Sequence, residues 1–420
     1  MPAKCASKPN NFSVSIESGL DQYCKATHPI RYGNYIRIRT QDYEYIFDLN
    51  GKAKIISGKH HSNWSREDWL KRTKGNDWVF YTAGMGYSNA YAYEGEYYTV
   101  CPDYNSNSIF GYRPFESQYV IDALDSLQFF VRNLKDIIDE PAYSENILLL
   151  NKIINNNSGL PEPDIHSIIK SPISVLPPDT RHSDYDVIPV IIADGCIYNC
   201  DFCSVKSNEK INIRSEADIA RQINELRAFY GEDIINYNSV FLGNHDALVA
   251  KESIMAFAIS ESYKLVKNTV MLDNYLYLFG SIFSLLNADE KIFSILDDSP
   301  FHTYINIGFE SFDQTTLDLI GKPVKADDSK KAFLRMMEIN RKYSSIEITG
   351  NLIIGSQLPA SHLISMQDFI NENISDRPAN GCLYLSPLLG EYNNNEIKRK
   401  FHTIKYSIQM PVYIYLIQRL

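Results

Sequence analysis

Six short runs rich in β-branched and aromatic residues, VIPVIIA, NSVFLGN, YLYLFGS, TYINIGFES, IEITGNLIIG and CLYLSPLL, punctuate the chain between Val187 and Leu388, with helical stretches between them. Most are apolar enough to be covered on both faces, as parallel strands are. Strand and helix alternating in this way fold as right-handed βαβ units around a parallel sheet. In the first crossover Ser215 and Asp218 stand as a capping pair, and Ile219, Ile223, Leu226 and Tyr230 share one face of the helix that follows. Further helices fit near Ala250–Val266, Asp289–Leu296, Asp327–Tyr343 and Ser361–Ile374. Six units with no seventh or eighth predict an α/β fold, a partial (β/α)6 barrel of the TIM type that does not close.

Residues 1–156 have a different texture and predict an N-terminal, tyrosine-rich, mixed α/β accessory domain. Within residues 35–58, alternating tyrosine and aliphatic positions flank Asn50-Gly51, a dipeptide that favours the positive φ angles of a two-residue turn, so a β-hairpin is expected. Val120, Leu124, Leu127, Val131, Leu134 and Ile138 recur at spacings of three and four, which predicts an amphipathic helix, and a second helix fits near Tyr143–Ile154. Residues 157–186, with NNNSGLPEPD and SPISVLPPDTRHSDYD, read as an extended proline-rich joint in which Asp179 and Arg181 either line a substrate opening or form a surface ion pair. The barrel then occupies residues 187–390, and residues 391–420 are a C-terminal extension, apolar but interrupted by Pro411. The accessory domain is expected to shape substrate access.

No apolar run approaches the roughly 20 residues that span a bilayer, and MPAKCASKPNNFSVS lacks the apolar stretch of a signal peptide, so a cytoplasmic location is expected. The net charge is −10, about +5 over residues 1–80 and about −15 over the rest. An acidic chain is a poor non-specific binder of polyanions, which makes nucleic acid an unlikely partner. The basic stretches RYGNYIRIRT and KRTKGNDW interleave charge with aromatics, as a solvated strand face does. Tyr91, Tyr93, Tyr97, Tyr98 and Tyr104 could stack bases or relay radicals, but alternating aromatics are what half-buried strands use anyway.

Seven cysteines is an odd number, and three of them crowd GCIYNCDFC, Gly195–Cys203, directly after the first strand. This favours metal ligation by reduced thiols over a disulfide framework. In a barrel of this kind the loops after the strands' carboxyl ends carry the chemistry. Structural zinc normally closes its tetrahedron with a fourth local Cys or His, and the loop holds none, although a distant residue such as His182 could complete it. An iron–sulfur cubane bound by three thiolates leaves one iron without a protein ligand, open to a chelating small molecule. Cys5, Cys24, Cys101 and Cys382 are dispersed singly, as buried neutral thiols are.

The C-x-x-x-C-x-x-C spacing of Cys196, Cys200 and Cys203, with the aromatic Phe202 just before the third cysteine, resembles the radical S-adenosylmethionine (radical SAM) superfamily. The resemblance implies a [4Fe–4S] cluster on these three residues, whose open iron binds the amine and carboxylate of S-adenosyl-L-methionine. It also implies an electron donor such as flavodoxin or ferredoxin, and a 5′-deoxyadenosyl radical that abstracts hydrogen from an organic substrate. VFLGNHDAL resembles the second-strand segment of Elp3-like members, which places Gly243, Asn244, His245 and Asp246 beside the methionine end of the cofactor, with Asp246 on its amine. INIGFESFDQTTLDLIGKPV resembles the fourth strand, with Glu310 and Ser311 toward the ribose or methionine, and contains Lys322, a recurrent family lysine without an assigned role. ITGNLIIGSQLP and LYLSPL resemble the fifth and sixth strands and add Asn351 and Ser386, the sixth strand lying against the adenine.

The resemblance covers about residues 187–390, and no acetyltransferase signature, cobalamin-binding histidine motif or C-terminal cysteine array accompanies it. Glu310 ends an apolar strand, where a carboxylate needs a polar ligand or a counter-charge. His245 either tunes the cofactor loop or caps a turn. Three functions follow: a radical SAM enzyme acting on a peptide or small molecule, a radical SAM enzyme modifying a nucleic acid such as tRNA, and a non-catalytic metal-binding interaction protein.

Overall fold

A computed structural model describes residues 12–18, 33–59, 64, 68–72, 78–82, 92–95, 114–157, 165–171, 175–183, 186–198, 200–203, 210–243, 245–375, 378–388 and 394–417. Strands β1 (Ser13–Ser18), β2 (Asn34–Arg39), β3 (Tyr43–Phe47), β4 (Ala53–Gly58), β5 (Asp68–Arg72) and β6 (Trp78–Thr82) form an antiparallel sheet in sequence order. Alternation turns Ile36, Ile38, Tyr45, Phe47, Ile56, Leu70 and Phe80 to one face. Helices α1 (Gln118–Ile137) and α2 (Ile147–Asn156) cover that face with Val120, Leu127, Leu134, Leu150 and Ile153.

Residues 35–58 make a three-stranded meander rather than one hairpin. The turn beyond β3 is also wider than two residues, because Asp48 Oδ1 accepts the N–H groups of both Asn50 and Lys52, and Gly51 takes the positive φ, +83°. Of the five N-terminal tyrosines, only Tyr93 falls within the described residues, in the short strand β7 (Ala92–Gly95).

The second sheet begins after α3 (Ile165–Ile169). Strand β8 (Ile188–Val190) leads to a two-residue antiparallel ladder of β9 (Ala193–Asp194) and β10 (Asn212–Ile213). Then follow α4 (Glu216–Tyr230), β11 (Ser239–Leu242), α5 (Glu252–Val266), β12 (Tyr275–Gly280), α6 (Ile282–Asn287), α7 (Glu290–Asp297) and β13 (His302–Glu310). The chain continues through α8 (Gln314–Leu319), α9 (Ala326–Lys342), β14 (Ile346–Ile354), α10 (Ala360–Asn373), β15 (Leu383–Pro387), α11 (Asn394–Ser407) and β16 (Val412–Ile417). The strand order is β7-β16-β15-β14-β13-β12-β11-β8, every neighbouring pair parallel.

The six strands expected from sequence are β8 and β11–β15, and two further strands, β16 and β7, extend the sheet beyond β15. Pro411 starts β16 instead of breaking it: its carbonyl accepts the N–H of Leu383 at 2.9 Å, and a proline just ahead of a strand loses no ladder donor. On the far side of β16, β7 is contributed by the N-terminal region. Among the described residues β7 and β8 do not pair, so the barrel stays open.

The joint is not an extended linker. Its 3-10 turn, Pro178–Ser183, is almost wholly buried, and Asp179 is 0% exposed, which excludes a surface ion pair. Asp179 accepts from Thr349 of β14 and Tyr384 of β15, both at 2.7 Å, and pairs with Arg181 at 3.1 Å. The Arg181 guanidinium lies over the rings of Tyr384 and Tyr413, His182 stacks on Tyr304, and the turn packs against β12. One six-residue turn thus touches five successive strands, β12–β16, which requires the sheet to curl around it.

The N-terminal sheet meets this barrel at its base. Asn34 and Asn236 exchange hydrogen bonds of 2.7 Å, Asn50 donates to the carbonyl of Tyr230 at 2.7 Å, and Lys54 and Lys71 both pair with Asp186. Tyr230 and Asn236 precede β11 and Asp186 precedes β8, so these contacts lie on the side where strands begin. They brace the barrel at the end where its strands begin.

Candidate active site

The loop carrying the three cysteines leaves the carboxyl end of the first barrel strand. Arg214 fixes its root, gripping Asp194 through Nε at 2.7 Å and Nη2 at 2.6 Å and pairing with Asp218 at 3.2 Å. Cys200 is buried, Cys196 and Cys203 are partly exposed, and none of the three is in a disulfide. The Cys203 N–H donates to the Cys200 carbonyl at 3.3 Å, closing the turn between them. Inside the loop, the Tyr198 hydroxyl accepts the N–H of Phe283 at the start of α6, at 3.1 Å.

Across from the loop stands the end of β13. Its alternation sends Ile305, Ile307 and Phe309 outward into the main core and leaves Tyr304, Asn306, Gly308 and Glu310 on the inner face. Glu310 has φ +65°, a left-handed conformation that a side chain adopts only when its surroundings hold it there. A Cβ on Gly308 would come within 2.6 Å of Glu310 Oε1, so the missing side chain is what lets the carboxylate turn back along the strand. Lys322 Nζ meets that oxygen at 3.4 Å and lies 5.2 Å from the centre of the Tyr198 ring. The counter-charge that Glu310 needs is therefore Lys322.

Burial dominates the ionisation of the site. It pushes the Cys200 thiol up to about 11 and raises Cys196 as well, and the Lys322 charge pulls both back down. The Glu310 carboxyl is raised by burial against the opposing pull of Lys322. His245 is held below its ordinary value by burial, with Asp194 opposing.

The other residues singled out in the sequence divide into two groups. Asn351 and Ser386 sit on the inner faces of β14 and β15, both half-buried; Asn351 exchanges amide hydrogen bonds of 2.6 and 3.2 Å with Asn306. Gly243 ends β11, its N–H on the Val190 carbonyl at 3.2 Å; Phe202 is half-buried beside Cys203, and Asn244 lies outside the described residues. Ser311 sits behind this group, and Asp246 is buried. Asp246 is 2% exposed, its carboxyl is raised by burial, and both of its oxygens are buried without a hydrogen-bond partner among the described residues. Ser311 is 0% exposed and its hydroxyl is taken up by His362 Nδ1 at 2.8 Å and the Asp313 N–H at 3.0 Å.

Sequence reasoning passed over Tyr198 and Asn306. Tyr198 is in the cysteine motif itself, and Asn306 is a polar residue at an inward position of an apolar strand, a signal that alternation carries.

The family profile of the radical SAM superfamily matches residues 190–369. No curated protein sequence matches the chain. Among solved structures, a radical SAM methyltransferase from Sphaerobacter thermophilus is similar at 10% identity, over 55% of this chain and 67% of that one, with a TM-score of 0.39. The cobalamin-dependent S-adenosylmethionine radical enzyme OxsB is similar at 11% identity, over 54% of this chain and 32% of its own, with a TM-score of 0.34. The FeFe-hydrogenase maturase HydG from Carboxydothermus hydrogenoformans is similar at 11% identity, over 63% and 62%, with a TM-score of 0.30. The chain spans about a third of OxsB and under two thirds of HydG. Residues 190–369 are thus a domain of the radical SAM superfamily, enzymes that work with a [4Fe–4S] cluster and S-adenosylmethionine.

Proposed function

We propose that Cys196, Cys200 and Cys203 hold the [4Fe–4S] cluster, and that the chain uses it to cleave S-adenosylmethionine and abstract hydrogen from a peptide or small-molecule substrate inside the barrel. The observation that carries this reading is the set of three reduced thiols in one loop at the mouth, facing the Glu310–Lys322 pair. Among the described residues no three Cys, His, Asp or Glu side chains gather as a single metal ion needs. A cubane asks for a different arrangement, since its thiolates bind three separate irons and need only line one pocket. Cys200 senses both other thiols, and Cys196 and Cys200 sense the same lysine, which supports a shared pocket.

When bound, the cluster and S-adenosylmethionine supply one-electron cleavage of the sulfonium to a 5′-deoxyadenosyl radical, the electron coming from a donor such as flavodoxin or ferredoxin. Burial favours the neutral thiols of Cys196 and Cys200, and loading displaces their protons. Asn306, Asn351 and Ser386 offer hydrogen bonds on the inner wall, Glu310 an acceptor for a cationic or hydroxyl group, and Phe202 an apolar side to the loop. The Pro178–Ser183 turn closes the barrel from below and keeps water from entering by that route. Ser311 acts as a support, its hydroxyl already bonded, Asp246 is the candidate ligand for the cofactor amine, and His245 flanks the loop. We assign the chemistry to residues 187–390, the structural base to residues 1–156, and the cytoplasm as the compartment, where thiols stay reduced. No helix among the described residues is long and apolar enough to cross a membrane.

The test is anaerobic reconstitution followed by dithionite and S-adenosylmethionine. The wild-type chain should release 5′-deoxyadenosine, and Cys200→Ala should lose both the visible cluster absorbance and the release. Full release by Cys200→Ala would remove the reading.

A further inference from the structure

The turn after α8, Ile320–Lys322, makes two approaches to the cysteine loop and one to the end of β13 opposite it. Gly321 has φ +62°, and a Cβ there would lie 2.2 Å from Asp201 Oδ2, so the cysteine loop rests directly on this backbone. Lys322 is 6% exposed, its ammonium 3.4 Å from Glu310 and 5.2 Å from the centre of the Tyr198 ring. Tyr198 is anchored in turn by the N–H of Phe283. The lysine thus touches both walls of the site, the loop through its aromatic residue and the strand end through its strained carboxylate. A buried ammonium is costly unless paired, and the pairing with Glu310 and the aromatic face holds it here, where its charge also reaches Cys196 and Cys200.

We propose that Lys322 is a positioning residue that also acts through its charge. It holds Glu310 and Tyr198 in place and sets a positive charge beside the thiols, so that a cluster bound there accepts its electron more readily. This rests on the function proposed above. Reduction adds one electron from the external donor and thus one negative charge to the pocket, which a nearby ammonium stabilises. A methionine of similar length fills the space without the charge, and an arginine keeps the charge with a different shape.

The experiment is a reductive titration of the reconstituted wild-type, Lys322→Met and Lys322→Arg proteins, followed by electron paramagnetic resonance in the absence of S-adenosylmethionine, with iron assayed on each sample. Lys322→Met should take up iron and become about tenfold harder to reduce, a midpoint lower by about 59 mV, and Lys322→Arg should stay near wild type. A wild-type midpoint in iron-replete Lys322→Met overturns the proposal. If Lys322→Met does not retain iron, Lys322→Arg decides: a wild-type midpoint supports the proposal, and loss of iron or a lowered midpoint overturns it. A wild-type protein that takes up no cluster overturns the function proposed above and this inference with it, whereas a wild-type midpoint in iron-replete Lys322→Met overturns this inference alone.

Discussion

The antiparallel N-terminal sheet and the parallel sheet of the barrel both cover one face with helices through aliphatic and aromatic residues, but they spend the other face differently. In the first, the second face gathers Ile46, Ile55 and Trp69 and sends Lys54 and Lys71 to Asp186, so it serves attachment. In the second, the inner face carries Tyr277, Tyr304, Asn306, Thr349, Asn351 and Tyr384, which bond to one another or to the Pro178–Ser183 turn. Alternate residues of one strand therefore do separate work: outward ones hold the fold, and inward ones build a polar interior.

The largest effects come as a pair, one from each region. Phe47→Ala empties the N-terminal core and should cost about 3–5 kcal/mol, read as a lowered thermal midpoint, while the folded fraction keeps its S-adenosylmethionine cleavage. Asp179→Ala strips Thr349, Tyr384 and Arg181 of their shared buried acceptor, a similar cost of about 3–5 kcal/mol, but here cleavage should fall as well. Equal cleavage in the two variants would mean that the inner face of the barrel is mere scaffold.

A smaller effect comes from pH. The Ile353 carbonyl can only accept, so His362 Nε2 donates to it at 2.9 Å while Nδ1 accepts from Ser311. Burial holds the His362 imidazole below its ordinary 6.5. The unfolded chain therefore takes up this proton first, and the stability present above about 6.5 is lost as pH falls toward the folded value. His362→Asn, which can accept and donate in the same sense, should flatten the difference in thermal midpoint between about pH 7.5 and about pH 5.5. The smallest change is Asn351→Ala, which should cost about 1 kcal/mol and leave the iron content unchanged, since Asn351 is half-buried and one of its partners, Asn306, keeps the Thr349 bond.

Much of the barrel was legible because its strands are short, apolar and separated by capped helices. The six strands stand where the pattern puts them, and Ser215 caps α4 by accepting from the Asp218 N–H. What the pattern missed is non-local. Pro411 reads as an interruption until Leu383 is seen to donate to its carbonyl, and the proline-rich joint reads as a linker until Asp179 is seen to complete a network between two strands. In the site, the cysteines announce themselves by spacing. The retreat of Ser311 behind the wall does not, because which way a strand-end side chain faces depends on bulges such as the one between Gly308 and Glu310.

The central claim is that three protein thiolates leave one iron of the cluster open to a small molecule. Electron paramagnetic resonance of the reduced, reconstituted protein before and after adding S-adenosylmethionine tests it most directly. A changed spectrum is the predicted result, because a new ligand on that iron alters its electronic environment. An identical spectrum from a fully reduced cluster would mean that the fourth position is already filled, and would contradict the account.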